Sequence, residues 1–249
     1  MNRQVKSFIE LISKTIHVRG PIYEFGSRQM IGQDAFADLR PLFPGEEYVG
    51  CDYIAGPGVD VVLDLREIEL PDNSVQTLIC CEVVEHVSDP FKAVNEIKRV
   101  LTGNGLLILS APMNVPIHGS PYDYWRFTPE GFKELLKDFD QVFVGYYGHE
   151  EFPRGIVAIA SPKGGVDLAK FSEGYLSWCK EWQPQYPALG KTVAKFVRPF
   201  APRMFYDSNF ELWRRHSQLD QYSTLSNFLY LCIPPIVLSV YKRIKSAIG

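Results

Sequence analysis

The stretch LICCEVVEHVSDPFKAVNEIKRVLTGNGLLILSAP, residues 78–112, decides the fold of this chain. Its first apolar run, extended back to residue 74, predicts a strand over 74–83. Apolar residues at helical spacing then predict a helix over 91–101, which Gly103-Asn104-Gly105 should end. The second run, 105–112, is apolar except for Ser110 and is typical of a strand buried on both faces. Strand, helix and strand in this order indicate parallel strands of one sheet.

The same alternation of strands and helices continues on both sides of this stretch. The predicted strands are 21–25, 47–52, 59–65, 74–83, 105–112, 141–147 and 155–161. The predicted helices are 2–16, 91–101 and 128–137, with a further helix that starts in 34–43 and that Pro41 should stop. The final two strands are separated by too little chain for a helical crossover, so they should be antiparallel neighbours. We therefore predict an α/β fold, an open and mostly parallel sheet with helices on both faces.

Composition and charge exclude several classes of protein. The 249 residues are 46% hydrophobic and 22% charged, as in globular proteins, and the formal net charge of -3 gives no reason to expect a nucleic-acid partner. The five cysteines include no CxxC pair, and the neighbouring Cys80 and Cys81 should point to opposite faces of a strand. We therefore expect neither disulfides nor a metal site. The first residues lack the apolar run of a secretory signal, so a cytoplasmic location is expected.

Polar residues stand where the predicted strands end, and ligands of open parallel sheets bind at those ends. They are Glu24 with Gly26, Asp52, Asp64 with Leu65, and the group Glu82, Glu85 and His86. A glycine allows a tight turn in which backbone N–H groups approach a ligand closely. An acidic residue at the end of the second strand is the expected acceptor for the two hydroxyls of a ribose.

Residues 70–112, with their EHV, EIKRVL and glycine-rich turn, resemble the central block of the class I S-adenosylmethionine-dependent methyltransferases. The methyltransferase domain 11 type is the most similar subgroup, and the resemblance covers residues 18–162. It implies a Rossmann-like sheet of seven strands with an antiparallel last strand. It also implies S-adenosylmethionine as the cofactor.

The resemblance carries roles over to individual residues at the strand ends. Glu24 and Gly26 would flank the methionine half of the cofactor, and Asp52 would hold its ribose. Asp64 and Leu65 would meet the adenine, while Cys81 and Glu82 would pass near the sulfonium. The full set of predicted cofactor-binding residues is Glu24, Gly26, Ser27, Arg28, Asp52, Tyr53, Asp64, Leu65, Cys81, Glu82 and His86.

The loop after the first strand departs from the family pattern, which is acidic-x-Gly-x-Gly-x-Gly. Here the chain reads Glu24-Phe25-Gly26-Ser27-Arg28-Gln29-Met30, so only the first glycine is kept. The missing glycines count against an NAD-type dehydrogenase, whose pyrophosphate needs close backbone approach. We hypothesise that Arg28 binds the carboxylate of the cofactor, since a guanidinium suits that group. The alternative is an arginine exposed on a loop.

The loop over residues 112–132 is the segment expected to face the methyl acceptor. It contains His118, Tyr122, Tyr124 and Arg126, which we predict to be the catalytic residues, with His118 as a general base. His86 is the alternative base, although in EHV it suits the ordering of the loop. The run DYWRFTPEGF resembles bacterial methyltransferases, some with surface-polysaccharide or secondary-metabolite functions. O-methylation of a sugar or small polar metabolite is therefore expected. The alternatives are an inactive cofactor-binding partner protein and a membrane-associated assembly subunit.

A change of composition after residue 164 indicates a helical C-terminal extension. The predicted divisions are an N-terminal helix (1–17), a methyltransferase domain (18–164) and this extension (165–249). Within it, LSNFLYLCIPPIVLSVY (225–241) is interrupted by two prolines and followed by basic residues up to 245. Three interpretations stay open for 225–245: packing on the catalytic domain, peripheral contact with anionic lipid at the inner face of a membrane, and a homodimer surface.

Overall fold

The computed structural model describes residues 2–29, 34–118, 122–149 and 152–182. Its helices are α1 (Arg3–Thr15), α2 (Asp34–Ala37), α3 (Pro90–Val100), α4 (Pro129–Leu135) and α5 (Ala169–Trp182). Its strands are β1 (Ile22–Phe25), β2 (Tyr48–Asp52), β3 (Val61–Val62), β4 (Val75–Cys81), β5 (Leu101–Pro112), β6 (Gln141–His149) and β7 (Phe152–Ser161). Short 3-10 turns lie at Arg40–Leu42 and Val84–His86.

The seven strands form one sheet in the order β3-β2-β1-β4-β5-β7-β6. Strands β1 to β5 are parallel, whereas β7 is antiparallel to both β5 and β6. The predicted Rossmann-like sheet with an antiparallel last strand is therefore confirmed. The strand order reverses between β1 and β4, so the carboxyl ends of β1, β2 and β4 enclose the crevice in which such sheets bind ligands.

Helices cover both faces of the sheet, as predicted. On one face α1 and α5 pack together, with Phe8 making edge contacts to Phe171 and Trp178 at 5.9 and 5.4 Å between ring centroids. On the other face α3 and α4 pack over the remaining core residues. Cys80 lies in the α3 core and Cys81 in the α1 core, and the cysteines of the described residues are free thiols.

Three predicted elements differ from the structure. The predicted strand 59–65 is reduced to the two exposed residues of β3, because the Asp60 carboxylate accepts the N–H of Gly50 and Asp64 begins a turn. The predicted helix 34–43 ends at Ala37. The glycine-rich turn does not end α3: the buried Leu101 pairs with Val75, which draws the chain into β5 before the glycines, and 102–105 form a bulge.

Among the described residues, every helix is too short or too polar to cross a bilayer. Residues 225–245, for which packing, lipid contact and dimerisation were the predicted alternatives, lie outside the described ranges. The predicted division of the chain into three parts stays a prediction.

Strand β6 forms one end of the sheet, and a tyrosine of α5 covers part of its outer edge. The hydroxyl of Tyr175 accepts the N–H of Tyr146 at 2.9 Å and donates to its carbonyl at 3.1 Å. Gly145 makes room for this contact, since a Cβ on Gly145 would overlap the Tyr175 hydroxyl. The docking of α5 therefore depends on the absence of a side chain at position 145.

Gly145→Ala should lower the free energy of unfolding by about 1–3 kcal/mol, because overpacking displaces Tyr175 from β6. Denaturant unfolding measures the loss. Gly131→Ala is the control, since the nearest atom to its Cβ would be the Thr128 hydroxyl at 3.4 Å and a helical alanine is favourable. In a Tyr175→Leu background the effect of Gly145→Ala should shrink. Equal stability of the two alanine variants would contradict the argument.

Candidate functional site

The loop after β1 is held against the end of β2. The N–H groups of Gly26 and Ser27 both donate to the Cys51 carbonyl, at 2.9 and 3.1 Å, and the Ser27 hydroxyl donates to the same oxygen at 3.2 Å. Gly26 has a φ of 83° and lies directly against the Val83 side chain, where a Cβ would overlap it. One glycine is therefore required here. The two amides that a phosphate would need are already bonded within the protein.

Glu24, the penultimate residue of β1, is a buried acid. Its carboxylate accepts the hydroxyl of Tyr48 at 2.8 Å. Burial raises the pKa of Glu24 to about 7, against the lowering effects of the Tyr48 hydrogen bond and of the positive charge of Arg40. A cationic ligand group beside Glu24 would favour the ionised carboxylate.

The end of β2 presents an acid next to exposed apolar side chains. The Asp52 carboxylate accepts the N–H of Ile54 at 3.1 Å, which shapes the loop as an Asx turn. Tyr53 and Ile54 are 54% and 39% exposed, so both can cover a ligand. The exposed Arg28 lies along this loop, with its Nε atom 2.9 Å from the position of a Cβ on Gly56.

Asp64 and Leu65, the two residues predicted to meet the adenine, have different surroundings. Asp64 is ion-paired with Arg66 at 2.7 Å, and hydrogen bonds from Arg66 lower the pKa of its carboxyl. Leu65 is buried in the core, only 4% exposed. Arg66 also donates to the Ser88 hydroxyl at 3.1 Å, which connects this turn to the loop after β4.

The chain leaves β4 through a residue in the left-handed region. Glu82 has a φ of 59°, a conformation that is costly for a residue with a long side chain. Its carboxylate accepts the Asn2 amide and the Ser110 hydroxyl, each at 3.3 Å, and Asn2 also donates to the Tyr147 hydroxyl at 2.8 Å. Burial raises the pKa of Glu82. Strain in the backbone and a buried acid thus coincide at one residue.

Glu85, in the 3-10 turn that follows, is more deeply buried. Its side chain is 0% exposed, and neither carboxylate oxygen has a hydrogen bond to any described residue. Burial raises the pKa of the Glu85 carboxyl well above its usual range, and the neighbouring Glu82 raises it further. A buried carboxyl without a partner is costly, so its retention calls for an explanation.

Two imidazoles face the Glu85 carboxylate. The Nε2 atoms of His86 and His118 lie 3.6 and 4.0 Å from its Oε1 atom, and the two rings meet edge to face with centroids 5.2 Å apart. Nδ1 of His86 is 2.6 Å from the carbonyl of Tyr122, and Nδ1 of His118 is 3.2 Å from that of Pro116. In both rings Nδ1 is therefore the natural donor and Nε2 carries the lone pair.

The loop after β5 is fastened onto this turn. The N–H groups of Tyr124 and Trp125 donate to the Glu85 carbonyl at 2.8 and 3.2 Å, and the indole of Trp125 donates to the Val87 carbonyl at 2.9 Å. The exposed rings of Tyr122 and Tyr124 pack on each other, 5.5 Å apart. Hydrogen bonds to backbone carbonyls thus join the two loops that border the site, and exposed aromatic rings lie at its edge.

Arg126 forms a bidentate ion pair with Asp123 inside this loop, and its Nη2 atom lies 3.5 Å from Nδ1 of His118. Hydrogen bonds from Arg126 hold the pKa of Asp123 well below its usual range. Asp123 also accepts the backbone N–H of His118 at 2.8 Å. The pair Asp123–Arg126 therefore positions His118.

These residues suit S-adenosylmethionine, whose ammonium and sulfonium are cationic. Carboxylates at the ends of β1, β2 and β4 supply the opposite charge, from Glu24, Asp52 and Glu82. The internally bonded amides of the first loop suit a cofactor that has no phosphate. Tyr53 and Ile54 offer an apolar cover beside Asp52, where the ribose and adenine would lie. The donor set thus fits the group that the sequence resemblance implies.

The structure brings together only some of the predicted site residues. His86, His118 and Arg126 converge, whereas Asp64 pairs with Arg66 and the side chains of Leu65 and Cys81 are buried in the core. Sequence reasoning did not assign roles to Glu85, Asn2 or Tyr48. Glu85 stands in the EHV motif, but its burial follows from the packing of a loop some 40 residues later in the chain, which sequence periodicity does not reveal.

Comparison with known proteins gives three kinds of match. Residues 43–109 match the family model described as a methyltransferase domain. Two Mycobacterium tuberculosis proteins, MT3114 and Rv3030, are each named a probable S-adenosylmethionine-dependent methyltransferase. Both are 42% identical over 116 residues, which is 45% of this chain and 37% of each relative. The chain thus spans little more than a third of the length of these curated relatives.

The PH0226 protein from Pyrococcus horikoshii OT3 is a similar solved structure, with 17% identity and a TM-score of 0.47 over 65% of this chain and 92% of that one. The sheet order observed here agrees independently with the fold that the sequence resemblance implies. The chain therefore contains a match to a methyltransferase domain over residues 43–109, and it is similar to S-adenosylmethionine-dependent methyltransferases.

Proposed function

We propose that this chain transfers the methyl group of S-adenosylmethionine to a hydroxyl oxygen of a sugar or another small polar metabolite. One observation carries the proposal: Glu85, His86 and His118 meet in the turn after β4, where the sulfonium would pass. Such a group of acid and imidazoles can hold a hydroxyl and receive its proton. Activity of the whole protein is part of the proposal, since the curated relatives are much longer.

The bound cofactor would supply an electrophilic methyl group on a cationic sulfur. The chain's own residues would place the acceptor oxygen in line with the carbon–sulfur bond. The acceptor oxygen would gain the methyl group while the bonding electrons stayed with the sulfur, and the chain's own residues would receive the hydroxyl proton. His118 is the proposed proton acceptor, since its Nδ1 faces a carbonyl and leaves Nε2 with the lone pair.

On the cofactor side, Glu24 would face the ammonium and Asp52 the ribose hydroxyls, beside Tyr53. Glu82 and His86 would lie near the sulfonium, with Gly26 and Ser27 forming the loop after β1.

Other predicted residues would act indirectly. The side chains of Leu65 and Cys81 are buried, so these residues would contribute through packing or through their backbone groups, and Asp64 would act together with Arg66. Binding of the cofactor carboxylate by Arg28 stays a prediction.

On the acceptor side, Tyr122 and Tyr124 would line the entrance, because their rings are exposed next to the cluster. Arg126 is already paired with Asp123, so its proposed part is to position His118. Stacked aromatic rings suit the apolar faces of sugars and aromatic metabolites.

Asp52→Asn should weaken S-adenosylhomocysteine binding about 10-fold to 100-fold, because the two ribose hydroxyls lose an ionised acceptor. Isothermal titration calorimetry measures the change. Asp140→Asn, at an exposed position before β6, is the matched control and should bind as the parent protein does. Unchanged affinity in Asp52→Asn would remove Asp52 from the cofactor site.

Cofactor affinity should depend on the ionisation of Glu24. With a pKa of about 7 in the free protein, Glu24 becomes neutral as the pH falls and cannot then pair with an ammonium. S-adenosylhomocysteine should bind about fivefold more weakly at pH 6 than at pH 7, since the ionised fraction falls by that factor. Glu24→Gln should bind weakly at both pH values, whereas Asp52→Asn should keep the pH dependence. A parent protein with equal affinity at both pH values would contradict this role.

His118→Gln should lower kcat about 10²-fold to 10⁴-fold while leaving the Kd of S-adenosylhomocysteine within about twofold, because a general base acts only on the acceptor. The assay follows S-adenosylhomocysteine release with a panel of sugars and small hydroxylated metabolites. Cofactor binding by the parent protein without turnover of any acceptor would favour an inactive partner protein instead. Absence of cofactor binding would favour an assembly subunit.

A further inference from the structure

We propose that Glu85, His86 and His118 form a binding site for one divalent transition-metal cation. Each residue offers one ligand atom, and these three atoms lie within 4.8 Å of one another. The cluster lies in the domain's crevice, between the turn after β4 and the loop after β5. This inference departs from the expectation, based on cysteine spacing, that the chain has no metal site.

The hydrogen bonds of the two imidazoles favour metal binding. Each ring uses Nδ1 to contact a backbone carbonyl, that of Tyr122 at 2.6 Å or that of Pro116 at 3.2 Å. A histidine that ligates a metal almost always donates its other ring N–H in this way, which fixes the tautomer and the ring orientation. Both Nε2 lone pairs are thereby directed to the same carboxylate oxygen.

The Glu85 carboxylate provides an independent observation. It is fully buried and has no hydrogen-bond partner among the described residues. The two Nε2 atoms, at 3.6 and 4.0 Å, are too far away for direct hydrogen bonds to it. A cation between the three ligand atoms would compensate the buried carboxylate, and the two imidazoles could bind as neutral ligands.

The donor set selects the class of cation. Two imidazoles and one carboxylate are the ligands of catalytic zinc and of non-haem iron sites, whereas magnesium and calcium prefer oxygen donors. Ligand atoms of a tetrahedral site at bond lengths of about 2.0–2.1 Å are about 3.3 Å apart. The three ligand atoms, at 3.6 Å, 4.0 Å and at most 4.8 Å from one another, need to approach by at most about 1.5 Å to reach that separation. The His86 and His118 side chains are 28% and 43% exposed and can adjust that far.

The charges around the cluster are compatible with a cation. Arg126, whose Nη2 atom lies 3.5 Å from Nδ1 of His118, is bound through its Nη1 and Nη2 atoms to the Asp123 carboxylate. Glu82 is a further acidic residue on the β4 side, where its carboxylate accepts hydrogen bonds from Asn2 and Ser110. Three protein ligands leave positions open for a water or for acceptor oxygens. Binding of the acceptor hydroxyl there rests on the proposed function. While His118 ligates the metal its Nε2 lone pair is used, so the general-base role proposed for His118 applies to the protein without metal.

Metal binding can be measured on the full chain without acceptor or cofactor. After chelator treatment and gel filtration, we expect one Co²⁺ per chain, with visible absorption bands of a four- or five-coordinate site, and displacement by Zn²⁺. His86→Ala, His118→Ala and Glu85→Gln should each weaken binding at least 10-fold. His17→Ala is the control, because His17 is exposed and outside the cluster.

The Glu85→Gln variant also distinguishes loss of a metal ligand from loss of folding. It replaces a buried, unpaired carboxyl by a neutral amide of similar size, so thermal unfolding without metal should occur at the same or a higher temperature. The inference is overturned if the parent protein binds less than one Co²⁺ per chain at 100 micromolar free metal, or if the His86 and His118 variants bind as the His17 variant does. Turnover by a protein that binds no Co²⁺ would overturn this inference while the proposed function stands. Binding of one metal ion per chain without turnover of any acceptor would contradict the proposed function and leave this inference standing.

Discussion

The hydrogen bonds of Gly26 and Ser27 to the Cys51 carbonyl are the constraint on which the cofactor side of this domain depends. They hold the loop after β1 against β2, and this in turn places Gly26 directly on Val83 at the start of the turn after β4. Three strand ends are thereby brought to one crevice by a single turn. Among the described residues of the loop, 26–29, only Gly26 has a left-handed backbone, and it lies against the Val83 side chain, so a glycine is required at that position.

On the opposite side of the crevice, hydrogen bonds between backbone groups join the loop after β5 to the turn after β4. Tyr124 and Trp125 donate to the carbonyl of Glu85, and so the loop after β5 closes over the turn after β4. This closure excludes water from the Glu85 carboxyl and raises its pKa. Burial of the acid and positioning of His118 are therefore two results of the same contact.

Sequence periodicity predicted the sheet well and the side-chain environment of the site poorly. The apolar runs of β4 and β5 fixed their place in the sheet centre, and the strand-end rule led correctly to the position of Asp52, next to the crevice. Side-chain direction at Leu65 and Cys81 was not predicted, because it depends on which face of the sheet each residue takes. Glu85 could not be singled out, since its burial results from contacts with residues distant in sequence. The end of α3 was misjudged because pairing of Leu101 with Val75 outweighed the local preference of the glycines.

The hydroxyl of Tyr175 has a consequence for association between chains. It occupies the outward-facing N–H and carbonyl groups of Tyr146, which an added strand would otherwise use. At the other end of the sheet, β3 has only two residues, too few to template a partner strand. While α5 is docked, the sheet is thus protected at both ends against growth by strand addition, a common route to aggregation in α/β domains.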